Sequence, residues 1–181
     1  MIGKVTRSES GKVISREVPT ISKLKHPLKL HVWGGISRAG RTRINIFKGI
    51  MDAEFFTNEI LHRTLLPSIN RLYPKPSTHR LWQDNDPKHC SKKAKEFMDL
   101  NGINWFKSPP ESPDLNPIEN VWATMKRSVG RDGPMTQDEL SASILKFWKS
   151  HLSVEQCNRY IDHVYRVIPA VISAKGKYSG F

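Results

Sequence analysis

The sequence predicts an α/β sheet protein with a helical C-terminal layer. Three observations lead to this class: two alternating apolar segments around a glycine-containing turn, two further short apolar segments separated by a helical one, and a final series of amphipathic helices. The chain has 181 residues, 38% of them hydrophobic, which is enough for one core and too short to suggest two full domains. We therefore expect one domain with extensions.

The first two predicted strands form a hairpin. Between residues 28 and 37, apolar side chains recur at every second position before a glycine pair, as in a strand with one buried face. Residues 37–41 contain Gly40 and predict a turn, and residues 43–47 alternate again. We expect the two strands to pair antiparallel.

A helix and two more strands follow. Asp52 is a suitable N-cap for a helix that Pro67 should end. Apolar residues stand at helical spacing within it: Phe56, Ile60, Leu61 and Leu65. Residues 79–83 predict a short buried strand, residues 91–100 a helix and residues 103–107 another strand.

A proline-rich loop leads into the next helix. Four prolines between residues 108 and 117 forbid regular structure. Asn116 then suits an N-cap and Pro117 the first helical position. The apolar stripe of this helix is Ile118, Val121, Trp122, Met125 and Val129.

Two more helices are predicted by capping boxes. The first pairs Thr136 with Glu139, and the second pairs Ser153 with Gln156. Pro169 should end the last helix.

The charge is strongly and unevenly basic. Of the net +12, a local +9 lies in residues 1–50, which contain eleven basic residues and only two acidic ones, Glu9 and Glu17. Such a surface suits a polyanion, because each neutralised phosphate releases counterions, and we expect DNA binding that weakens steeply as salt rises. The alternative is a solvated face that keeps the protein soluble.

Several other classes of protein are not indicated. No apolar run approaches the roughly 18 to 20 residues of a membrane span, and the first four residues lack the start of a secretory signal, so we expect a soluble, intracellular protein. Cys90 and Cys157 form no CxxC pair, which predicts reduced thiols rather than a disulfide or zinc site.

The first group of chemically active residues is QDNDPKH, at positions 83–89. It places two carboxylates, a lysine and a histidine just after a predicted strand, where ligands gather in open α/β sheets. Taken alone, the same residues also suit an ordinary turn, in which Asx side chains satisfy local backbone groups.

The second group is SPDLNPIENVW, at positions 112–122, where the proline loop delivers Glu119 to the first turn of a helix. A purely structural role is also open, since Glu119 is the third helical residue after Asn116 and can close a capping box on its backbone N–H.

Together the two groups resemble the Tc/mariner superfamily of DDE transposases. Asp84 and Glu119 have 34 residues between them, and upstream HVWGGIS (31–37) and KGIM (48–51) extend the resemblance over roughly residues 25–129. The resemblance implies an RNase H-like mixed sheet flanked by helices, with Asp84 ending a central strand and Glu119 on a helix beside it.

The resemblance also implies the chemistry. Family members hold two Mg²⁺ ions, or Mn²⁺, with an Asp-Asp-Glu triad, and Asp84 and Glu119 match its second and third members as catalytic and metal-binding residues. Hard divalent cations prefer carboxylate oxygens, and a pair can activate the attacking oxygen and stabilise the leaving one. Water would then cleave a DNA strand and a freed 3′-hydroxyl would join it to a target. DNA partners, a homodimer in the complete enzyme and a nuclear location follow from the same resemblance.

Other residues near the motifs have weaker interpretations. Asp86 and Asp114 fit turn or cap roles. Four side chains are candidates for contact with the DNA backbone: Lys88, His89, Lys126 and Arg127. Local hydrogen bonding or plain solvation explains them equally well. Four tryptophans within apolar patterns are read as core or interface residues: Trp33, Trp82, Trp122 and Trp148.

The family's first catalytic aspartate has no counterpart here. Residues 1–50 contain no aspartate, and neither Glu9 nor Glu17 follows an apolar strand. We therefore expect the sheet to lack its first strand and the chain alone to be inactive. The alternatives are a non-catalytic, host-adopted or decayed DNA-binding protein and a basic structural nucleic-acid protein.

The predicted organisation has four parts. Residues 1–26 form a basic extended segment, 27–130 a partial RNase H-like core, 131–172 its C-terminal helices, and 173–181 a loose tail.

Overall fold

The computed structural model describes residues 28–74, 79–107 and 115–173, together with two short strands near the N-terminus. Those two strands, β1 (Ser8–Glu9) and β2 (Lys12–Val13), pair antiparallel. The rest of the predicted extended segment and the predicted tail beyond residue 173 lie outside the described residues.

The remaining elements alternate as the sequence predicts. The strands are β3 (His31–Trp33), β4 (Ile36–Ser37), β5 (Gly40–Arg41), β6 (Asn45–Phe47), β7 (Leu81–Gln83) and β8 (Trp105–Lys107). Helix α1 is continuous over the stretches Ala53–Phe55, Phe56–Leu65 and Leu66–Leu72. The other helices are α2 (Lys92–Leu100), α3 (Pro117–Asp132), α4 (Gln137–Ser150) and α5 (Val154–Ser173).

The predicted hairpin is present, but its first strand is divided in two. β3 pairs antiparallel with β6, with Val32 opposite Ile46, and β4 pairs with β5. The break falls at Gly34, where a Cβ would stand 2.5 Å from the ring of Trp148. The tryptophan thus approaches the backbone at a position that only glycine allows.

The second strand pair is parallel. β7 and β8 align with Trp82 opposite Phe106 and Gln83 opposite Lys107, so both chains leave the sheet at the same end. Among the described residues, β3 bonds only to β6 and β7 only to β8. The two pairs are therefore separate ladders with unpaired outer edges.

Helix α1 begins as predicted but ends later. The Asp52 side chain accepts a hydrogen bond from the Phe55 backbone N–H at 2.7 Å. The expectation that Pro67 ends the helix is wrong, because the preceding stretch is a wider π-helix in which Leu66 N bonds to Leu61 O, five residues back. Pro67 therefore falls at the start of a new α-helical stretch, where its missing donor is tolerated.

The C-terminal helices follow their predicted starts. Thr136 and Glu139 close a capping box at α4, and Ser153 accepts from the Gln156 N–H at 3.1 Å near the start of α5. Pro169 does not end α5, which continues to Ser173. The carbonyl that loses its donor belongs to Tyr165, which is 66% exposed, so solvent can replace the missing bond.

The hairpin of β3 and β6 lies between two helical layers. Val32 and Ile46 pack against a buried cluster from α3, α4 and α5, whereas Trp33 and Phe47 pack against a cluster from α1 and α2. Three fully buried α1 side chains centre the second cluster: Phe56, Ile60 and Leu61. Each contributes roughly 1.5–3 kcal/mol through its removal from water. Leu81 and Trp105 join the same cluster, which ties β7 and β8 to this layer.

The tryptophans mostly confirm the core interpretation. Trp148 is 2% exposed, and Trp33 and Trp122 pack against the two clusters. Trp82 is the exception at 48% exposed. The expectation of a buried strand at 79–83 is therefore wrong for the face of the strand that carries Trp82. Phe106 beside it is 44% exposed.

Both cysteines are free thiols, and burial raises the pKa of Cys157. Among the residues that the structure describes, no helix is both long and apolar enough to cross a membrane.

Candidate active site

The first candidate carboxylate, Asp84, directly follows β7. The chain then turns, with Asp86 O accepting hydrogen bonds from the backbone N–H groups of His89 and Cys90, before Ser91 caps α2. Because β8 is parallel to β7, the segment that leads from Lys107 towards α3 starts at the same end of the sheet. Asp84 therefore lies at a carboxyl end of strands, the usual position for a site in an α/β sheet.

His89 holds Asp84 in place. Its Nδ1 lies 2.5 Å from Asp84 Oδ1, and its ring packs on Phe56 with 4.3 Å between ring centroids. The histidine side chain is 11% exposed and the aspartate side chain 63% exposed. The core residue Phe56 thus supports a buried imidazole, which in turn orients an exposed carboxylate.

The contact also sets the ionisation of Asp84. The hydrogen bond from His89 lowers the pKa of Asp84 below its ordinary value, against the opposing effect of burial, with a smaller contribution from the Asp86 N–H. Both of these hydrogen bonds go to Oδ1. Oδ2 has no hydrogen-bond partner among the described residues, so an ionised, exposed oxygen is left for a ligand.

Sequence reasoning placed His89 among the candidates for DNA contact, and the structure turns it inward instead. Its Nε2 is buried without a hydrogen-bond partner in the described part of the chain. This geometry favours a positioning role for Asp84 over contact with phosphate. The five-residue spacing of Asp84 and His89 around a turn was the signal available in the sequence.

Asp86 takes the turn role predicted for it. Its carboxylate accepts from the Lys88 backbone N–H at 3.0 Å and from Lys88 Nζ at 2.7 Å. Burial acts to raise the pKa of Asp86, but the two bonds from Lys88 outweigh it, and the pKa lies below its ordinary value. Lys88 is therefore already paired, whereas Asp114 lies outside the described residues.

Glu119 is free of the capping role that the sequence left open. Asn116 is the N-cap of α3, its side chain accepts from the Ile118 N–H, and Glu119 N donates to Asn116 O. The Glu119 carboxylate, by contrast, has no hydrogen bond or ion pair with any described residue, and the residue is exposed. Glu139, at the same position of α4, does close a capping box. Similar helix starts thus use the two glutamates differently.

Lys126 and Arg127 lie further along α3, both exposed. Lys126 is seven residues after Glu119 and so shares its helical face. Arg127 donates to Thr124 Oγ1 at 3.3 Å, an i,i+3 contact along the helix. Contact of either side chain with DNA stays a prediction.

The donors present suit a hard divalent cation. Asp84 and Glu119 offer exposed carboxylate oxygens, the ligands that Mg²⁺ and Mn²⁺ prefer. Within the described ranges, no three His, Cys, Asp or Glu side chains are arranged to hold a metal ion. The convergence of Asp84 and Glu119 stays a prediction, because part of the loop between them, residues 108–114, lies outside those ranges.

Comparison with known proteins identifies the family of this chain. Residues 6–141 match the sequence family of DDE superfamily endonucleases. The chain is 30% identical over 148 residues to the transposable element Tcb1 transposase of Caenorhabditis briggsae, covering 80% of this chain and 52% of that protein. The chain spans about half the length of the curated relatives Tcb1, Tcb2 and Tc1 that it matches.

Two solved structures share the fold. The Mos1 transposase catalytic domain with Raltegravir and Mn matches with a TM-score of 0.72 at 16% identity, over 82% of this chain and 76% of that one. The Mos1 paired-end complex with the left transposon end matches with a TM-score of 0.74 at 15% identity, over 97% of this chain and 51% of that one. The predicted RNase H-like α/β class is thereby confirmed.

The fold and the family match define the class: this chain belongs to the DDE superfamily endonucleases. Within that class, the resemblance to the Tc/mariner transposase catalytic domain is confirmed by the same comparisons.

We predict that His89→Ala raises the pKa of Asp84 towards its ordinary value. Because the native pKa is lowered, ionised Asp84 stabilises the fold above the unfolded-state pKa, and this contribution is lost as pH falls through the folded-state value. Without His89 this contribution should shrink towards zero, because the folded-state and unfolded-state pKa values of Asp84 would nearly coincide. Carboxyl carbon-13 NMR titration of the metal-free protein measures the change directly.

Asp86 provides the internal control for this titration, because Lys88 provides its pKa-lowering hydrogen bonds. Its pKa should move much less than that of Asp84. An unchanged Asp84 pKa in the variant would show that the imidazole does not set its ionisation.

Proposed function

We propose that this chain is part of the catalytic domain of a DNA transposase that cuts and joins DNA strands with Mg²⁺ or Mn²⁺ bound by Asp84 and Glu119. The observation that carries the proposal is the Glu119 carboxylate, which is exposed and unpaired among the described residues although its helix position allows a cap. An acidic side chain that makes no local hydrogen bond is available to bind a metal ion.

Asp84 supports the proposal from the other side. Its pKa is lowered by His89, so it is ionised at neutral pH and needs no proton removed before it binds a cation. His89 fixes Oδ1, and its support from Phe56 limits the orientations that the carboxylate can adopt. Two bound divalent ions would supply the Lewis acidity that activates the attacking oxygen and stabilises the leaving one.

The reaction we propose has two steps at one site. Water attacks the scissile phosphodiester, which releases a 3′-hydroxyl and a 5′-phosphate. The 3′-hydroxyl then attacks a phosphodiester of target DNA. One P–O bond forms to the attacking oxygen, and one breaks to release the 3′-hydroxyl of the cut target strand. Neither step needs a serine or cysteine nucleophile, and Cys157 is fully buried.

DNA as the partner is supported by charge. The chain carries +12, and α3, which carries Glu119 in its first turn, also bears the exposed residues Lys126 and Arg127. We extend the proposal to a homodimer in the complete enzyme and to a nuclear location, where chromosomal DNA is found.

A second candidate function is a non-catalytic DNA-binding protein derived from a transposase. Residues 1–50 contain no aspartate, so the first member of the triad that the resemblance implies has no counterpart in this segment. The two candidates differ in whether the complete protein cleaves DNA.

Metal removal tests the proposal directly. The complete protein should nick duplex DNA that carries its transposon end in Mg²⁺ or Mn²⁺, and EDTA should abolish nicking because two carboxylates cannot activate water by themselves. Gel analysis of end-labelled DNA measures both. Binding of the same DNA in EDTA is the control, and nicking that persists in EDTA would contradict the proposal.

A further inference from the structure

A pocket of about 440 Å³ lies at the β4–β5 hairpin, and its lining residues do not include Asp84, His89 or Glu119. Its wall combines the β4–β5 hairpin, the end of α1, the end of α4 and the start of α5. Four of its lining side chains are cationic: Arg41, Arg43, Arg71 and Lys149. None of the described residues that line it is a carboxylate.

Two of these cations build the pocket. Arg41 Nη1 donates to Leu152 O at 2.6 Å, and Arg71 Nη2 donates to Arg41 O at 2.7 Å. A further hydrogen bond, from Trp148 Nε1 to Thr42 O at 3.0 Å, connects the hairpin to α4. The pocket is therefore held by charged side chains bound to backbone carbonyls, with guanidinium donors left over.

The other two cations have no internal role. Arg43 and Lys149 are exposed, and neither side chain has a hydrogen bond or ion pair among the described residues. Their situation differs from that of other basic residues nearby, since Arg38 pairs with Asp162 at 2.7 Å and Arg159 pairs with Glu155 at 2.7 Å. Four positively charged residues thus line one pocket with no acid among its described lining residues, so a polyanion in the pocket would be attracted by all of them.

We propose that this pocket, lined by Arg41, Arg43, Arg71 and Lys149, binds the phosphodiester backbone of duplex DNA at a second site distinct from the Asp84 and Glu119 carboxylates. The proposal rests on the proposed transposase function, in which the protein binds both the DNA that it cleaves and the target DNA that it joins. The volume exceeds that of a single phosphate group and suits a stretch of backbone. Arginine donors recognise phosphate oxygens in forked geometry, and Lys149 adds a point charge.

The test compares two double variants of the complete protein. Arg43→Gln with Lys149→Gln removes the two free cations of the pocket. Arg63→Gln with Arg159→Gln removes the same charge from two arginines that glutamates at i,i−4 already neutralise. Affinity for a roughly 20-base-pair duplex without transposon-end sequence is measured in EDTA at several salt concentrations, by fluorescence anisotropy.

The pocket variant should bind at least about tenfold more weakly at low salt, and its log–log salt slope should fall by about 1.8, or 0.9 for each lost phosphate contact. The control variant should leave both the affinity at low salt and the salt slope nearly unchanged. Lys149→Gln alone, an exposed substitution in the last turn of α4, should give about half of the slope change and guards against misfolding of the double variant. Equal slopes for the pocket and control variants would overturn the proposal.

Inorganic phosphate separates the backbone from a small-anion ligand. At constant ionic strength, replacing chloride by phosphate should weaken duplex binding by the parent more than by the pocket variant, because the same donors hold either anion. Phosphate binding that the pocket variant loses, with duplex affinity equal in the parent and the variant, would assign the pocket to a small anion instead. Because binding is measured in EDTA, the result does not depend on catalysis. Failure of the proposed function would appear as absent metal-dependent nicking, with the slope difference intact.

Discussion

Glu119→Gln in the complete enzyme should abolish DNA cleavage while leaving the free energy of unfolding within about 1 kcal/mol of the parent. The carboxylate makes no hydrogen bond among the described residues, so removal of its charge costs mainly the favourable interaction of an acidic residue with the N-terminus of α3, about 0.3–1 kcal/mol. A metal ligand is different, because several kcal/mol of transition-state stabilisation depend on its charge. That corresponds to a rate loss of roughly 10³-fold or more.

Glu139 offers a matched control at the same position of the next helix. Glu139→Ala breaks the capping box with Thr136 and should cost on the order of 1 kcal/mol of stability with cleavage intact. Glu119→Ala should do the reverse. Chemical denaturation and single-turnover nicking assays measure the two effects. If Glu119→Gln still cleaves DNA in Mg²⁺, Glu119 is not a metal ligand in this enzyme.

Local signals in the sequence predicted most element starts, because those starts depend on side chains only three residues apart. Asp52, Asn116 and Thr136 all cap helices as expected. The hairpin of β3 and β6 also follows from local alternation.

Element ends were less predictable because they depend on tertiary packing. Pro67 and Pro169 both lie within continuing helices. At Pro67 the buried side chains of α1 stabilise a π-helical stretch that accommodates the ring, and no local pattern announces such a stretch.

In the candidate site, too, some features follow from local sequence signals and others depend on tertiary packing. Asp84 and Glu119 were identified from their motifs, but the role of His89 depends on Phe56, which is 33 residues away in sequence and beneath its ring in the fold. The exposure of Trp82 is likewise a tertiary property, since a strand pattern does not tell which face of the sheet is covered. The sequence could not decide whether Glu119 caps its helix, because the motif permits that hydrogen bond without requiring it.

The 181-residue chain alone should neither cleave nor join DNA. Two Mg²⁺ ions would carry four positive charges, whereas Asp84, Glu119 and one phosphate of the DNA would offer three negative ones. The resemblance implies a further aspartate on a strand that precedes the residues of this chain. An uncompensated charge in a partly desolvated site costs on the order of several kcal/mol, enough to empty one metal position at ordinary Mg²⁺ concentrations.

The chain should also be poorly stable alone, and the strand pairing gives the reason. Among the described residues, β3 and β7 each have a partner on one side only, and no ladder joins their two pairs. By the topology that the resemblance implies, the strand with the first aspartate lies between them. Unpaired edges on both neighbours offer backbone donors and acceptors to other chains, which favours aggregation.

Both expectations are tested by comparing this chain with one extended upstream through the first strand. Nicked and intact transposon-end DNA, with Mg²⁺ or Mn²⁺, measures cleavage and joining, and thermal melts with light scattering measure stability and association. The extension should restore a cooperative melt of a non-aggregating protein, because it pairs both edges at once. Comparable cleavage by the two chains would show that two carboxylates suffice. A cooperative, monomeric melt of the short chain would show instead that the helical layers around Phe56 and Trp148 hold the two strand pairs together without a strand between them.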